Sequence, residues 1–136
     1  MSFLSRLVAI FKPTPEPPVR AKLPEGKMRI HLFSGDFPDI DAAMTYCFES
    51  AGNVPEQITL DQPGAFIDTT HVEVVFDRAA TRLNEFLTPD EADRMVAKMR
   101  GSNTLIIIEE PAFGGFPYTL NNTPNLFYHG PFIVDV

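Results

Sequence analysis

Residues 28–50, MRIHLFSGDFPDIDAAMTYCFES, join a strand pattern to a helix pattern through a turn that is rich in aspartate. In the strand, Met28, Ile30 and Leu32 occupy every second position, with His31 between them. Strict alternation places the two sets on opposite faces of a sheet. The stretch therefore predicts that the folded domain begins near residue 28 with a strand and continues directly into a helix.

The helix pattern after the turn has an apolar stripe with spacings of three and four residues, which is typical of an amphipathic helix. The stripe consists of Ile40, Ala43, Met44, Cys47, Phe48 and Ala51. Asp36 or Asp39 is suited to cap its start, Pro38 to occupy its first turn, and Gly52 to end it. Cys47 is thereby predicted to be a buried and inert thiol.

The aspartate turn itself has several possible roles. A phosphate loop is excluded, because the turn has one glycine and no lysine follows it. Asp36, Asp39 and Asp41 could hold a divalent cation, but the glycine and terminal glutamate of a calcium loop are missing. Capping of the helix is the favoured interpretation. An acidic patch that faces a partner, and a metal site, stay open behind it.

The rest of the chain predicts further strands and helices. Short strands are expected to flank the turn at 61–64, and residues 71–77 are the clearest of them. Residues 103–110 (NTLIIIEE) also have a strand pattern. Residues 116–120 and 126–136 are also expected to form strands. The remaining patterns are helical, over 78–87 and 88–101. Grouped strands and helices favour an α+β domain over residues 28–136, with a mostly antiparallel sheet and two or three packed helices.

Residues 88–101, TPDEADRMVAKMRG, carry the clearest helix signal in the chain. Thr88 is a suitable N-cap, Pro89 suits the first position, and Glu91 completes a capping box. Gly101 is placed to end the helix. The predicted buried face consists of Ala92, Met95, Val96 and Met99.

Two segments precede the domain. Residues 1–12, MSFLSRLVAIFK, predict a short amphipathic helix that is too short to span a bilayer. Three interpretations stay open for it, in this order: a helix docked on its own domain, a floppy or partner-binding leader, and an interfacial membrane anchor. Residues 13–27 contain five prolines and predict an extended connector.

The charge of the chain is strongly asymmetric. The net charge is −7 overall, but residues 28–136 hold six basic and sixteen acidic side chains, a balance of −10. Such a domain repels nucleic acid and attracts basic proteins. The single cysteine excludes an internal disulfide and a thiolate zinc cluster. A cytoplasmic location and no cofactor are expected.

No catalytic motif stands out. The three histidines, at 31, 71 and 129, lack the spacing of metal ligands. Glu109 and Glu110 end a strand pattern, so they should point to opposite faces and not act as one pair. Phe113, Phe116 and Tyr118 follow them and could form a binding patch, although burial in the core is the favoured interpretation.

The opening strand and turn HLFSGDF, the acidic amphipathic helix after it and the later strand NTLIIIEE resemble immunity protein family 22 of bacterial polymorphic toxin systems. The resemblance covers residues 28 to about 110. It implies a non-catalytic protein that binds a basic toxin domain and covers its active site. The carboxylates expected to contact that partner are Asp36, Asp39, Asp41, Glu109 and Glu110.

Two alternatives belong to other classes of protein. One is a small metal-dependent hydrolase whose site combines His31, His71 and nearby acids. The other is an adaptor tethered to a membrane by residues 1–12.

Overall fold

The computed structural model describes residues 22–136. The interpretations of residues 1–12, and of most of the connector at 13–27, fall on residues outside this part of the chain. The described part contains a four-stranded sheet with the order β2–β3–β1–β4, and every neighbouring pair is antiparallel. The strands are β1 (Lys27–Gly35), β2 (Val72–Phe76), β3 (Thr104–Glu109) and β4 (Phe127–Asp135).

The two inner strands are β1 and β3, and both faces of each are buried. In β1, Ile30 and Leu32 lie on one face, while His31 and Phe33 lie on the other, and each is at most 3% exposed. In β3, residues 104–108 are all buried. A strand that is covered on both faces has an almost continuous run of apolar residues in its sequence. This explains the LIII sequence within β3.

Helices cover both faces of the sheet. They are α1 (Ile40–Phe48), α2 (Gln57–Asp61), α3 (Ala79–Asn84) and α4 (Pro89–Met99), with two 3₁₀ turns at Thr69–His71 and Glu110–Phe113. The predicted α+β fold with an antiparallel sheet is confirmed. Within residues 22–136 it has four helices, where the sequence patterns predicted two or three.

Two hydrophobic clusters result, one on each face. On the first face, α1, α2 and the segment that follows β3 pack against Phe33, Ile106 and Ile108. On the second face, the buried side chains of α3 and α4 pack against Leu32 and Leu105. The first is called the loop-side face below, and the second the α4-side face.

The buried stripe of α1 differs from the prediction. Ala43, Tyr46 and Cys47 are buried, whereas Ile40 and Met44 are about half exposed. The helix also ends at Phe48, before the predicted stop. Tyr46 replaces the aliphatic residues inside because its hydroxyl donates to the carboxylate of Asp61 at 2.6 Å, which satisfies its polar end. Burial raises the pKa of the Cys47 thiol to about 12, in agreement with an inert thiol.

Two predicted strands are absent from the described part of the chain. Residues 57–61 form α2, and residues 116–120 form an irregular loop, so the strands predicted before the turn at 61–64 and at 116–120 were wrong. The strand predicted after the turn is confirmed as β2. The side chain of Gln62, which follows α2, binds the backbone just after the loop at 116–120. Its side-chain amide donates to the carbonyl of Asn121 at 2.8 Å and accepts from the amide of Asn121 at 2.9 Å.

The strongest helix prediction is confirmed in α4. The hydroxyl of Thr88 accepts from the amide of Glu91, and the carboxylate of Glu91 accepts from the amide of Thr88. Arg100, in the left-handed conformation, follows the helix and precedes Gly101. Val96 was predicted to be buried but is 38% exposed.

Candidate binding site

The five carboxylates predicted to contact a partner do not lie together. In the register of β1 and β3, Glu109 lies opposite Ile30, whereas Gly35 lies opposite Thr104. Asp36 follows Gly35, so the aspartate turn and Glu109 are at opposite ends of the sheet. At about 3.3 Å per residue, six strand residues separate them by roughly 20 Å. A single small contact cannot include both groups.

The aspartate turn has structural roles. Asp39 is the N-cap of α1, and its carboxylate accepts from the amide of Ala42 at 2.8 Å. The carboxylate of Asp36 accepts from the amide of Asn103 at 3.0 Å, which ties the turn to the start of β3. Asp41 is exposed in the first turn of α1, near the positive end of the helix dipole. Capping therefore explains the turn.

Glu110 belongs to a polar network on the loop-side face. Its carboxylate accepts from the hydroxyl of Tyr118 and lies 3.2 Å from Nε2 of His31. Nε2 is also 2.7 Å from the Tyr118 hydroxyl, and Nδ1 is 2.8 Å from the hydroxyl of Tyr128. The guanidinium of Arg29 lies 3.8 Å from the second carboxylate oxygen.

This network fills the interior of the loop-side face. The side chain of His31 is fully buried, and its ring makes an edge contact with Phe113, whose ring stacks on Tyr118. Both ring nitrogens of His31 have hydrogen-bonding neighbours, as a buried imidazole requires. The arrangement fixes the packing of the loop at 111–126 against β1.

Glu109 lies on the other face, in an open cleft. In the antiparallel sheet, the starts of β1 and β2 meet the ends of β3 and β4 at one end. There α3 covers the α4-side face only in part, and this leaves a cleft of about 540 Å³. Known ligand sites have volumes of roughly 300–1,000 Å³.

The cleft has an apolar floor and a charged rim. The apolar residues that line the cleft are Met28, Ile30, Val72, Phe86, Ile107, Val134 and Val136. The polar and charged lining residues are Thr70, His71, Glu73, Arg82, Glu85, Glu109 and Asp135. Four of these are carboxylates and one is a guanidinium, so the rim carries surplus negative charge.

Arg82 organises one wall of the rim. Its guanidinium donates two hydrogen bonds to Glu73, at 2.7 and 2.9 Å, and one to Glu85 at 3.1 Å. The hydrogen bonds to Glu73 raise the pKa of Arg82 above its ordinary value. Arg82 also lies over the ring of Phe86, 5.0 Å from its centroid. The two carboxylates are thereby held in place while the wall keeps a net negative charge.

The opposite walls hold the two other acids. The carboxylate of Glu109 lies 3.7 Å from Nδ1 of His71, and Asp135 forms an ion pair with Lys27. The side chain of Glu109 is 41% exposed and that of Asp135 is 82% exposed. Both carboxylates are therefore accessible to a ligand in the cleft.

The histidines do not converge. His31 contacts Glu110 on the loop-side face, His71 contacts Glu109, and Nε2 of His129 lies 2.6 Å from the hydroxyl of Ser34. Ser34 is 1% exposed, so a substrate cannot reach its hydroxyl. Among residues 22–136, no three His, Cys, Asp or Glu side chains are placed to hold a metal ion. The site predicted for a hydrolase, His31 and His71 with nearby acids, is not brought together, because the two histidines contact different glutamates.

The aromatic residues after Glu110 are divided between core and surface. Phe113 and Tyr118 are 1% and 3% exposed, whereas Phe116 is 60% exposed. Burial in the core, the favoured interpretation, holds for two of the three.

Sequence reasoning missed most of the cleft. Glu73 had a signal, because it interrupts an apolar strand at a position that alternates with Val72 and Val74. Arg82 and Asp135 had none, because only the tertiary fold brings α3 and the end of β4 to the same place.

No family model, curated protein or solved structure matches this chain. Within residues 22–136, no helix is long and apolar enough to cross a membrane.

Proposed function

We propose that this chain is a non-catalytic acidic binding protein, and that the cleft at the end of the sheet contacts a basic protein partner. The observation that carries the proposal is the combination of an apolar floor with a rim of four carboxylates and one guanidinium. This combination suits a ligand that is apolar along its length and cationic at its tip.

Lysine and arginine side chains have this chemistry. Their methylene stems favour apolar surroundings, and their charged heads favour carboxylates. A side chain that enters the cleft would lay its stem on Ile30 and Val134, and its head would reach Glu109 or Asp135 at the rim. The same cleft disfavours anionic ligands.

The field of the domain supports the same partner. Residues 22–136 hold eight basic and seventeen acidic side chains, a balance of −9. A field of this sign accelerates the encounter with a basic protein and repels nucleic acid. Rim charges chiefly affect the association rate, and the desolvated contacts in the cleft set the lifetime of the complex.

The partner that we propose is a bacterial toxin domain, and the role of the chain is that of an immunity protein. The resemblance of HLFSGDF, the acidic helix and NTLIIIEE to an immunity family supports this role, together with the charge. Toxins that attack nucleic acids are commonly basic at their active sites. An acidic protein that covers such a site competes electrostatically with the substrate.

A peptide titration tests the cleft. The isotope-labelled full chain is titrated with acetyl-Gly-Arg-Leu-Arg-Gly-amide and with the matching glutamate peptide, while amide chemical shifts are recorded. Saturable shifts at His71, Glu73 and Glu109 are expected with the arginine peptide alone. Glu109→Gln should weaken this binding by roughly twofold to fivefold, since it removes one rim charge. Glu110→Gln is the matched control and should leave the affinity unchanged.

Absence of saturable shifts at the cleft, or an equal response to the glutamate peptide, contradicts the proposed contact.

The immunity role needs a separate test. The open reading frame immediately upstream is expressed in a bacterial host with and without the full chain. Growth should fail without the chain and recover with it. A harmless upstream product that does not bind the chain in a purified mixture contradicts the role, even when the cleft binds arginine peptides.

A further inference from the structure

Two exposed phenylalanines form a pair on the loop-side face, away from the cleft. Phe66 is 55% exposed and Phe116 is 60% exposed. Their rings are arranged edge to face, with centroids 5.8 Å apart. Large apolar side chains that are both exposed and adjacent commonly mark interaction surfaces, whereas scattered ones do not. This pair is called the Phe66–Phe116 platform.

The platform stands on two loops that are tied together. The amide of Thr119 donates to the carbonyl of Gly64 at 3.0 Å. The fully buried side chain of Gln62 makes two hydrogen bonds to the backbone of Asn121. A surface whose backbone is held in this way loses little conformational entropy on binding.

Gly114 allows the two rings to meet. Its φ is +65°, and a Cβ added there would lie 3.3 Å from atoms of both rings. A larger residue would suffer backbone strain and would push the rings apart. Glycine at this position therefore suits both the backbone conformation and the close approach of the two rings.

A fixed carboxylate lies beside the platform in the chain. Asp68 follows Phe66 by two residues, and its carboxylate accepts from the amide of Thr70 at 3.0 Å and from its hydroxyl at 2.7 Å. These hydrogen bonds lower the pKa of Asp68, so the group is charged at neutral pH. The amide of Asp68 donates to the carbonyl of Ala112 at 2.7 Å, which holds it next to the turn that leads to Gly114.

We infer that the Phe66–Phe116 platform is a second contact surface, and that it binds an arginine side chain of the basic partner. A guanidinium stacks on the face of aromatic rings and pairs with carboxylates, and Asp68 is the carboxylate nearest to Phe66 in the chain. The inference rests on the proposed function, because it takes the basic protein as the partner. A second copy of this chain is a poorer occupant, since two domains with a balance of −9 each repel one another.

The test uses the full chain and the same arginine peptide, together with a peptide in which lysine replaces arginine. Saturable shifts are expected at Gly114, Gly115 and Phe116, with tighter binding of the arginine peptide. Phe116→Ala should weaken binding at these amides by roughly fivefold to tenfold, as is common for aromatic hot spots. Phe66→Ala should weaken it in the same direction.

Phe127→Ala is the matched control. Phe127 is 64% exposed, but it lies at the start of β4, opposite Ser34 and away from the platform. This variant should bind the peptide like the unchanged chain. Circular dichroism melting of all three variants shows whether each is folded.

The outcomes separate the two proposals. Shifts at the cleft with none at the platform overturn this inference and leave the proposed function in place. Absence of saturable shifts at both the cleft and the platform overturns this inference and the proposed function together. Equal effects of Phe127→Ala and Phe116→Ala, or equal binding of the two peptides, overturn the assignment to arginine. Self-association in sedimentation that Phe116→Ala abolishes also overturns it, in favour of a second copy.

Discussion

Glu109 and Glu110 are neighbours in the chain but have opposite surroundings. Glu109 ends β3 on the α4-side face, where it lines an open cleft near His71. Glu110 starts a 3₁₀ turn on the loop-side face, where it joins the buried network of His31 and Tyr118. The strand alternation predicted this divergence, and the structure confirms it.

The comparison shows that identical groups can have different roles. A carboxylate that accepts hydrogen bonds from buried partners contributes to folding, because its loss leaves those partners unsatisfied. A carboxylate on an open rim contributes little to folding and remains free to pair with a ligand. We therefore expect Glu109 to contribute to ligand binding and Glu110 to contribute to the stability of the fold.

The largest expected effect comes from the centre of the buried network. His31→Ala removes a fully buried ring and takes one hydrogen-bonding neighbour from each of the hydroxyls of Tyr118 and Tyr128. Cavity formation and lost hydrogen bonds together should lower the free energy of unfolding by about 3 kcal/mol or more. Urea unfolding followed by circular dichroism measures it.

His71→Ala is the matched control, since the side chain of His71 is 39% exposed at the cleft. It should change the free energy of unfolding by less than about 0.5 kcal/mol. Similar losses for both variants would remove the distinction between the two regions.

The second largest effect on the free energy of unfolding is expected from replacing one of the two neighbouring glutamates. Glu110→Gln weakens a charged acceptor for Tyr118 and should cost about 1–2 kcal/mol of unfolding free energy. Glu109→Gln should stay within about 0.5 kcal/mol. Urea titrations of both variants in one buffer test the comparison directly, and a larger loss for Glu109→Gln would reverse it.

The smallest expected effect on stability is the pH dependence that His129 contributes. Burial, and then the charge of Lys98, lower the pKa of His129 below its ordinary value. The unfolded chain therefore takes up more protons than the folded chain once the pH falls below about 6.5. Stability should decrease from about pH 6.5 towards the lower pKa of the folded state.

His129→Gln should reduce this decrease. Thermal melts of both proteins, from about pH 7.5 to about pH 5.5, measure it in a range where carboxylates stay ionised. An identical pH dependence in the two proteins would show that His129 does not contribute.

Local patterns predicted much of the fold. The alternation in β1, the capping box at Thr88 and Glu91 and the apolar run of β3 each depend on residues close in sequence, and each is confirmed. The predicted buried face of α1 was partly wrong, because Tyr46 is held inside by a hydrogen bond to Asp61, a residue outside the helix. The strand predicted at 116–120 was wrong, because this segment is a loop whose end is held by hydrogen bonds between the side chain of Gln62 and the backbone of Asn121, a contact between residues that are far apart in the chain.

By itself, the sequence determined the fold class, the surplus of negative charge and the capping of α1 by an aspartate of the turn, because these follow from composition and short-range spacing. The tertiary structure alone decided which charges share a surface. It separated Asp36 from Glu109 along the sheet and brought Glu73, Arg82 and Asp135 to one cleft. The physical reason is that strand pairing and helix docking join residues that are far apart in the chain, and no local pattern records that distance.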